Sequence, residues 1–213
     1  MPRIFIIEDH PVVREGIRVL LMGGLGCAEE ELGSSGSGRE GVRRLLDGDW
    51  EILLLDINLP DMDGLEILLR IKAVKPKLQV LVLTVSDEVS LIMRFIKAGA
   101  SGYLTKTAKA DEIVQAVKTI MKGKRYFSTN VSEIIASKLA GQNNDQLPHE
   151  MLSDREFTVL RRIGSGQSIA EIANSLHLSP STISTYRARI LEKMDLESNA
   201  DLIRYVLEHN LSQ

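Results

Sequence analysis

Glu8, Asp9, Asp56, Thr84 and Lys106 are side chains of kinds that could handle a phosphoryl group, and each stands at or just past the end of a short apolar run. Carboxylates gathered at one rim repel each other unless a divalent cation neutralises them, and an all-oxygen donor set favours Mg²⁺. Asp56 is then placed as a nucleophile towards a phosphoryl group. The metal, the Lys106 ammonium and the Thr84 hydroxyl would balance the charge of that group. Any one of these residues alone is more often a solvated turn or a helix cap. Their joint placement at the ends of four strands is what carries the reading.

That placement rests on the elements between them. Residues 4–7, 52–55 and 79–83 are apolar runs of strand length, and 102–104 is a short last strand. Residues 11–22, 39–46, 64–74, 88–98 and 110–122 carry apolar residues at helical spacing. Strict alternation predicts an α/β doubly wound, five-stranded parallel sheet, whose ligands collect at the carboxyl ends of its strands. The remaining strand is expected at 27–32, on the sheet edge, because it carries Glu29, Glu30 and Glu31 in a row. The stretch Gly33-Ser34-Ser35-Gly36-Ser37-Gly38 lacks the Gly-Lys-Ser/Thr ending of a phosphate loop and is expected to be a flexible loop. Asp61-Met62-Asp63-Gly64 has the look of a calcium loop or a phosphatase aspartate pair. It lacks the further acids of the first and the strand-end placement of the second.

After residue 122 the alternation stops. Residues 123–130 read as a polar crossover, 131–140 as a short amphipathic helix, and 141–150 as linker containing Pro148. The expected organisation is a domain over 1–122, a linker over 123–150 and a smaller all-α domain over 151–213, with helices at 154–163, 168–176, 180–194 and 200–211. Ile169, Ile172, Ala173 and Leu176 form one apolar stripe, and His177-Leu178-Ser179 makes a tight turn in which His177 is expected to be structural. Ser179 suits an N-cap, and Pro180 the first turn of the next helix. The pattern fits a helix-turn-helix, and leaves an ordinary helical hairpin equally open.

Bulk properties narrow the setting. A charged fraction of 26% and a hydrophobic fraction of 44% are ordinary for a soluble globular protein. No apolar run approaches the roughly 18 residues of a membrane span, and no signal peptide is visible. The single cysteine, Cys27, excludes an internal disulfide framework. A cytoplasmic protein is expected. The net charge is −3, and residues 148–213 hold seven Lys and Arg against nine Asp and Glu. Any nucleic-acid affinity must come from local positive charge, with modest non-specific binding.

The segments IIEDHPVVREGI, LLLDINLPDMDGLEIL, VLVLTVSDE and AGASGYLTK resemble the flavodoxin-like receiver domains of bacterial response regulators over residues 1–122. The resemblance implies Asp56 as phosphoacceptor, and Glu8 and Asp9 with Asp56 as a Mg²⁺ site. It adds the Asn58 backbone carbonyl as a further ligand and pairs Lys106 with the acyl phosphate. Thr84 and Tyr103 fit the switch pair: the hydroxyl moves onto the phosphate and the ring turns inward. Thr107 stands where many receivers have proline, which leaves the isomer of that peptide bond open.

LSDREFTVLRRIGSGQSIAEIANSLHLSPSTISTYRARILEKM resembles the DNA-binding domain of the LuxR type, over about residues 150–211. The two modules in this order are the arrangement of the NarL/FixJ subfamily. The resemblance implies a transcriptional regulator, not an enzyme, phosphorylated by a sensor histidine kinase. Double-stranded promoter DNA would be its target, a homodimer its phosphorylated form, and no membrane a partner. An interaction adaptor and an aspartyl-phosphate phosphatase are the competing classes. On the helix over 180–194, Ile183, Ile190 and Met194 share the inward side with Leu191 at its edge, at about 100° per residue. Ser181, Thr185, Ala188 and Arg189 lie opposite, with Ser184 near the margin. Thr185 or Ala188 suits a thymine methyl, and Arg189 has the bidentate fit to guanine. Arg187 and Lys193, towards the flanks, suit phosphates.

Overall fold

The computed structural model describes residues 2–85, 88–139, 147–176 and 178–211. It divides into two compact units, Met1–Ala136 and Ser137–Gln213.

The first unit is built on parallel strands β1 (Ile4–Ile7), β2 (Leu32–Ser35), β3 (Ile52–Asp56), β4 (Gln79–Thr84), β5 (Gly102–Thr105) and β6 (Tyr126–Phe127), in the order β2-β1-β3-β4-β5-β6. Helices α1 (Pro11–Leu25), α2 (Gly38–Asp47), α3 (Gly64–Val74), α4 (Val89–Lys97) and α5 (Ala110–Met121) connect them, and α6 (Thr129–Leu139) follows. The order reverses at β1, which lies between β2 and β3, so a crevice opens beyond the carboxyl ends of β1 and β3. Every residue of β1 and β3 is buried, which is why both read as unbroken apolar runs.

The sheet has six strands where the sequence suggested five. Tyr126–Phe127 pairs with Gly102–Tyr103 inside the stretch expected to be a crossover, and two residues are too short for periodicity to show. The edge strand also lies further along than expected. Glu29–Glu31 forms a 3₁₀ turn, and the strand is Leu32–Ser35, within the segment expected to be a loop. Its register with β1 places Gly33 beside Phe5. A Cβ on Gly33 would come within 2.5 Å of the Trp50 ring and 2.6 Å of Phe5. The glycine admits a tertiary contact there, and the ladder supplies what β-propensity does not.

Both acids of the Asp61-Met62-Asp63-Gly64 motif serve helix starts. Asp61 accepts hydrogen bonds from Ser37 Oγ at 2.7 Å and from the Gly38 and Arg39 amides at 2.8 and 3.0 Å, which anchors the head of α2. Asp63 caps α3 by accepting from the Leu65 and Glu66 amides.

The second unit holds α7 (Asp154–Gly164), α8 (Ile169–Leu176), α9 (Pro180–Met194) and α10 (Asn199–Glu208). Three of the four begin in reciprocal capping boxes, Ser153 with Glu156, Ser168 with Glu171, and Ser198 with Asp201. Phe157, Leu160, Ile172, Leu176, Ile183, Ile190, Met194, Leu202 and Val206 form its core. His177, expected to be structural in the turn before α9, lies outside the described residues, as does 141–146 of the expected linker. No helix among the described residues is long and apolar enough to cross a membrane.

Gly64 holds the segment after Asp56 tightly: its amide bonds to the Ile57 carbonyl, and a Cβ there would meet Ile57 Cα at 2.5 Å. Gly64→Ala is expected to destabilise the chain by about 1–3 kcal/mol, because backbone cannot yield as a side-chain tip can. Urea denaturation measures this, and an unchanged midpoint would show that the segment adjusts freely.

Candidate functional site

Four strand ends bring the expected residues to one rim. Glu8 follows β1, Asp56 ends β3, Thr84 ends β4, and Lys106 follows β5. Glu8 and Asp56 are each 1% exposed, and Thr84 is fully buried. Lys106 Nζ lies 2.8 Å from Asp56 Oδ2 and 2.8 Å from Glu8 Oε2, so one ammonium bridges the two buried carboxylates. The Lys106 amide donates to the Thr84 carbonyl at 2.5 Å, which seats the lysine beside the end of β4. The Asn58 amide donates to Asp56 Oδ1 at 3.1 Å. No cis peptide occurs among the described residues, so the Lys106–Thr107 bond is trans.

The charges of this cluster do not balance internally. Burial pushes the Asp56 carboxyl above its ordinary range, assisted by the Glu8 charge and opposed by the Lys106 hydrogen bond. Burial works against the Lys106 ammonium too, but its bonds to Asp56 and Glu8 outweigh that and raise it. Glu8, Asp9 and Asp56 together bring three negative charges against this one positive. Glu8 Oε2 faces the Lys106 ammonium at 2.8 Å and Asp9 Oδ1 faces His10 Nδ1 at 2.9 Å. A donor set of this kind fits a divalent cation. Tyr103 is fully buried, its ring centroid 6.2 Å from that of Phe95.

Two residues at this rim escape a reading by strand ends. His10, the residue before α1, places Nδ1 3.1 Å from Glu8 Oε1 and 2.9 Å from Asp9 Oδ1. Arg14 on α1 donates from Nη1 to the Glu8 carbonyl at 2.6 Å and holds the backbone on which Glu8 and Asp9 sit. The sequence offered a hint only for His10, which adjoins the two acids.

On α9, Ile183, Ile190 and Met194 are buried, Leu191 is half-buried, and Ser181, Ser184, Thr185, Ala188 and Arg189 are exposed. Ser181, Thr182, Thr185, Tyr186 and Arg189 line a shallow depression on the outer side, to which Tyr186 adds an aromatic wall the helical wheel did not single out. The Ser184 and Thr185 hydroxyls donate back to the Pro180 and Ser181 carbonyls. Arg189 is exposed with neither an ion pair nor a hydrogen bond among the described residues.

The other lysine and arginine side chains of α7–α10 are engaged. Arg187 bonds Asn199, Arg204 bonds Asp201, and Arg161 bonds the Leu211 carbonyl. Lys193, expected on a phosphate-facing flank, lies 2.7 Å from Glu156 Oε2, the carboxylate of the α7 capping box. Burial acts against the charge on Glu156, yet the bonds from Lys193 and Ser153 more than offset it and hold the carboxyl below its ordinary range.

Comparison with known proteins places the two units separately. The profile of the response regulator receiver domain matches residues 4–118, and that of the bacterial regulatory proteins of the luxR family matches 150–206. The chain is similar to response regulator GacA of Pseudomonas viridiflava, 32% identical with 99% of this chain and 98% of that one covered. It is also similar to response regulator UvrY of Escherichia coli K12, 29% identical with 99% and 96% covered. Among solved structures, RcsB from Salmonella enterica serovar Typhimurium, bound to promoter rprA in the presence of phosphomimetic BeF₃⁻, superposes with a TM-score of 0.71. The identity is 25%, with 95% of this chain and 96% of that one covered.

The Lys193–Glu156 pair predicts a pH-dependent stability. A depressed Glu156 value means that its charged form stabilises the fold above the ordinary glutamate range near about 4.3, a contribution lost as pH falls through the folded value. Lys193→Ala should therefore lower stability by about 0.5–1 kcal/mol near neutral pH, since solvent screens the partly exposed ammonium, with the gap to wild type closing in acid. Thermal melts across pH measure it, and a gap constant with pH would contradict the role of the pair.

Proposed function

As a member of the response regulators that join a receiver to a LuxR-type DNA-binding domain, this chain is a DNA-binding transcriptional regulator of a two-component system, and we propose that phosphorylation of Asp56 is its switch. Members of this family are regulators rather than enzymes. The observation that carries the proposal is the buried Asp56 carboxylate at the end of β3, bridged to Glu8 by Lys106 at 2.8 Å on each side.

The donor is a phosphohistidine of a sensor histidine kinase. An Asp56 oxygen attacks phosphorus, the phosphorus–nitrogen bond breaks, and the imidazole leaves as the acyl phosphate forms. Lys106 gives up one carboxylate partner and stays with the incoming phosphoryl oxygens, which need its charge more. Glu8, Asp9, Asp56 and the Asn58 carbonyl would hold Mg²⁺, which would supply neutralising charge for the phosphoryl group. Thr84 and Tyr103 form the switch pair, the hydroxyl turning to the phosphate and the ring keeping its buried place. The added charge thereby biases a two-state element, and the phosphorylated chain pairs as a homodimer on double-stranded promoter DNA in the cytoplasm.

Helix α9 is the reader. Ser181, Ser184, Thr185, Ala188 and Arg189 face base edges, while Arg187 and Lys193 reach phosphates only by leaving Asn199 and Glu156. With so many of its cations engaged within the unit, affinity rests on polar and apolar fit more than on counterion release. The slope of log affinity against log salt should be correspondingly shallow, since each phosphate neutralised contributes about −0.9.

Acetyl phosphate with Mg²⁺ should add one phosphoryl group to the wild-type chain by intact mass, and none to Asp56→Asn. Thr84→Ala should still be labelled, yet gain little DNA affinity on labelling. Equal labelling of Asp56→Asn would move the phosphoacceptor elsewhere. For DNA, a combined Thr185, Ala188 and Arg189 substitution to Ser, Ser and Ala should weaken operator binding by roughly 1–3 kcal/mol and change sequence preference. Unchanged affinity and preference in binding titrations would remove α9 as the reader.

A further inference from the structure

The set of groups at the acidic rim is mixed. One ligand atom from each of Glu8, Asp9, His10 and Asp56 lies within 4.8 Å of the other three. Donors of one ion, each about 2.0–2.2 Å from it, stand roughly 3–4.4 Å apart, so a small contraction brings all four around a common centre. His10 is held for this by its place in the fold. It precedes Pro11 at the N-terminal end of α1 with extended backbone angles, φ −75° and ψ 112°, and makes no side-chain cap to the helix. Its amide donates to Glu8 Oε1 at 3.2 Å, and its ring turns to the same carboxylates. Beside it lie the buried Glu8 Oε2, 2.8 Å from the Lys106 ammonium, and Asp9 Oδ1, 2.9 Å from the ring nitrogen itself.

We propose that His10 Nδ1 is a nitrogen donor in this metal centre, so that the rim, besides Mg²⁺, takes a borderline first-row divalent ion of the Mn²⁺ to Ni²⁺ kind more tightly than its oxygen donors alone would. This rests on the reading of the rim as a metal-dependent phosphoacceptor site. The chemistry follows from donor type. Carboxylate and carbonyl oxygens suit Mg²⁺, while an imidazole adds little for that ion and progressively more along the series from Mn²⁺ to Ni²⁺. The alternative is that the ring stands in for a cation, donating a proton to Glu8 and Asp9 and leaving when an ion arrives. The two arrangements predict opposite effects of removing it. With a side chain 67% exposed, His10 can be replaced without disturbing the core.

The test uses the full-length chain and the bare ions. With Mn²⁺ bound, electron spin-echo modulation should show a directly coordinated ¹⁴N in the wild type and lose it in His10→Gln. Calorimetric titration should find Ni²⁺ bound at least about tenfold more weakly by His10→Gln, and the ratio of Ni²⁺ to Mg²⁺ affinity reduced. Wild-type Mn²⁺ without nitrogen modulation would overturn the proposal, as would tighter ion binding by the variant, the signature of a displaced stand-in. Labelling of the wild type by acetyl phosphate is measured alongside with Mg²⁺. Failure to label would sink the phosphoacceptor reading itself. Labelling together with a Ni²⁺ affinity unaffected by His10→Gln would remove only His10 from the centre.

Discussion

A single ammonium shared between two buried carboxylates sets the terms for the receiver unit. Lys106 reaches Glu8 and Asp56 at 2.8 Å each, with Asp9 adding a third negative charge beside them. At an effective dielectric constant near 20, two like charges about 4 Å apart repel by roughly 4 kcal/mol. One lysine cannot cancel three such charges. The rim therefore attracts positive charge, and the topology keeps the acids from separating. Glu8 and Asp56 stand at the ends of adjacent, fully buried strands, and Arg14 fixes the backbone carbonyl of Glu8. An arrangement that cannot relax is one in which a divalent ion, and then a phosphoryl group, changes the balance most.

The DNA-binding unit uses charge in a different way. Its acids open helices: Glu156, Glu171 and Asp201 each close a capping box, and each is held below its ordinary range, Glu156 by the bonds that outweigh its burial and the other two chiefly by bonds from their serine caps. The excess of acids over bases in residues 148–213 is thus an excess of structural carboxylates near helix N-termini. Their presence at the start of α7 also draws Lys193 inward. What remains on the outer side of α9 is small, polar and only locally cationic, a surface suited to reading base edges at close range.

Much of this was legible in the sequence where one residue type and one periodicity sufficed. The fully buried β1 and β3 announce themselves as apolar runs, and the acids after them follow directly. The inward side of α9 is fixed by Ile183, Ile190 and Met194, all three buried. The failures have a common physical cause in contacts distant along the chain. Leu32–Ser35 is a strand because it pairs with β1 and because Gly33 admits Trp50, neither of which a Gly-Ser-rich segment reveals. Lys193 looks free on a helical wheel, yet it is tied to Glu156, 37 residues earlier. His10 joins the rim through side-chain direction alone, and Tyr186 joins the outer depression of α9 from a position the wheel leaves at its margin.

The shared lysine, the strand-end threonine and the buried aspartate together would receive a phosphoryl group. A crystal structure of the chain with Mg²⁺ and beryllofluoride tests this most directly. Beryllium should be bonded to an Asp56 carboxylate oxygen, with fluorines in hydrogen-bond reach of Lys106 Nζ and Thr84 Oγ1, and Lys106 parted from Glu8. Beryllofluoride absent from Asp56, or bound there with Lys106 still bridging Glu8 and the Thr84 hydroxyl turned away, would contradict it.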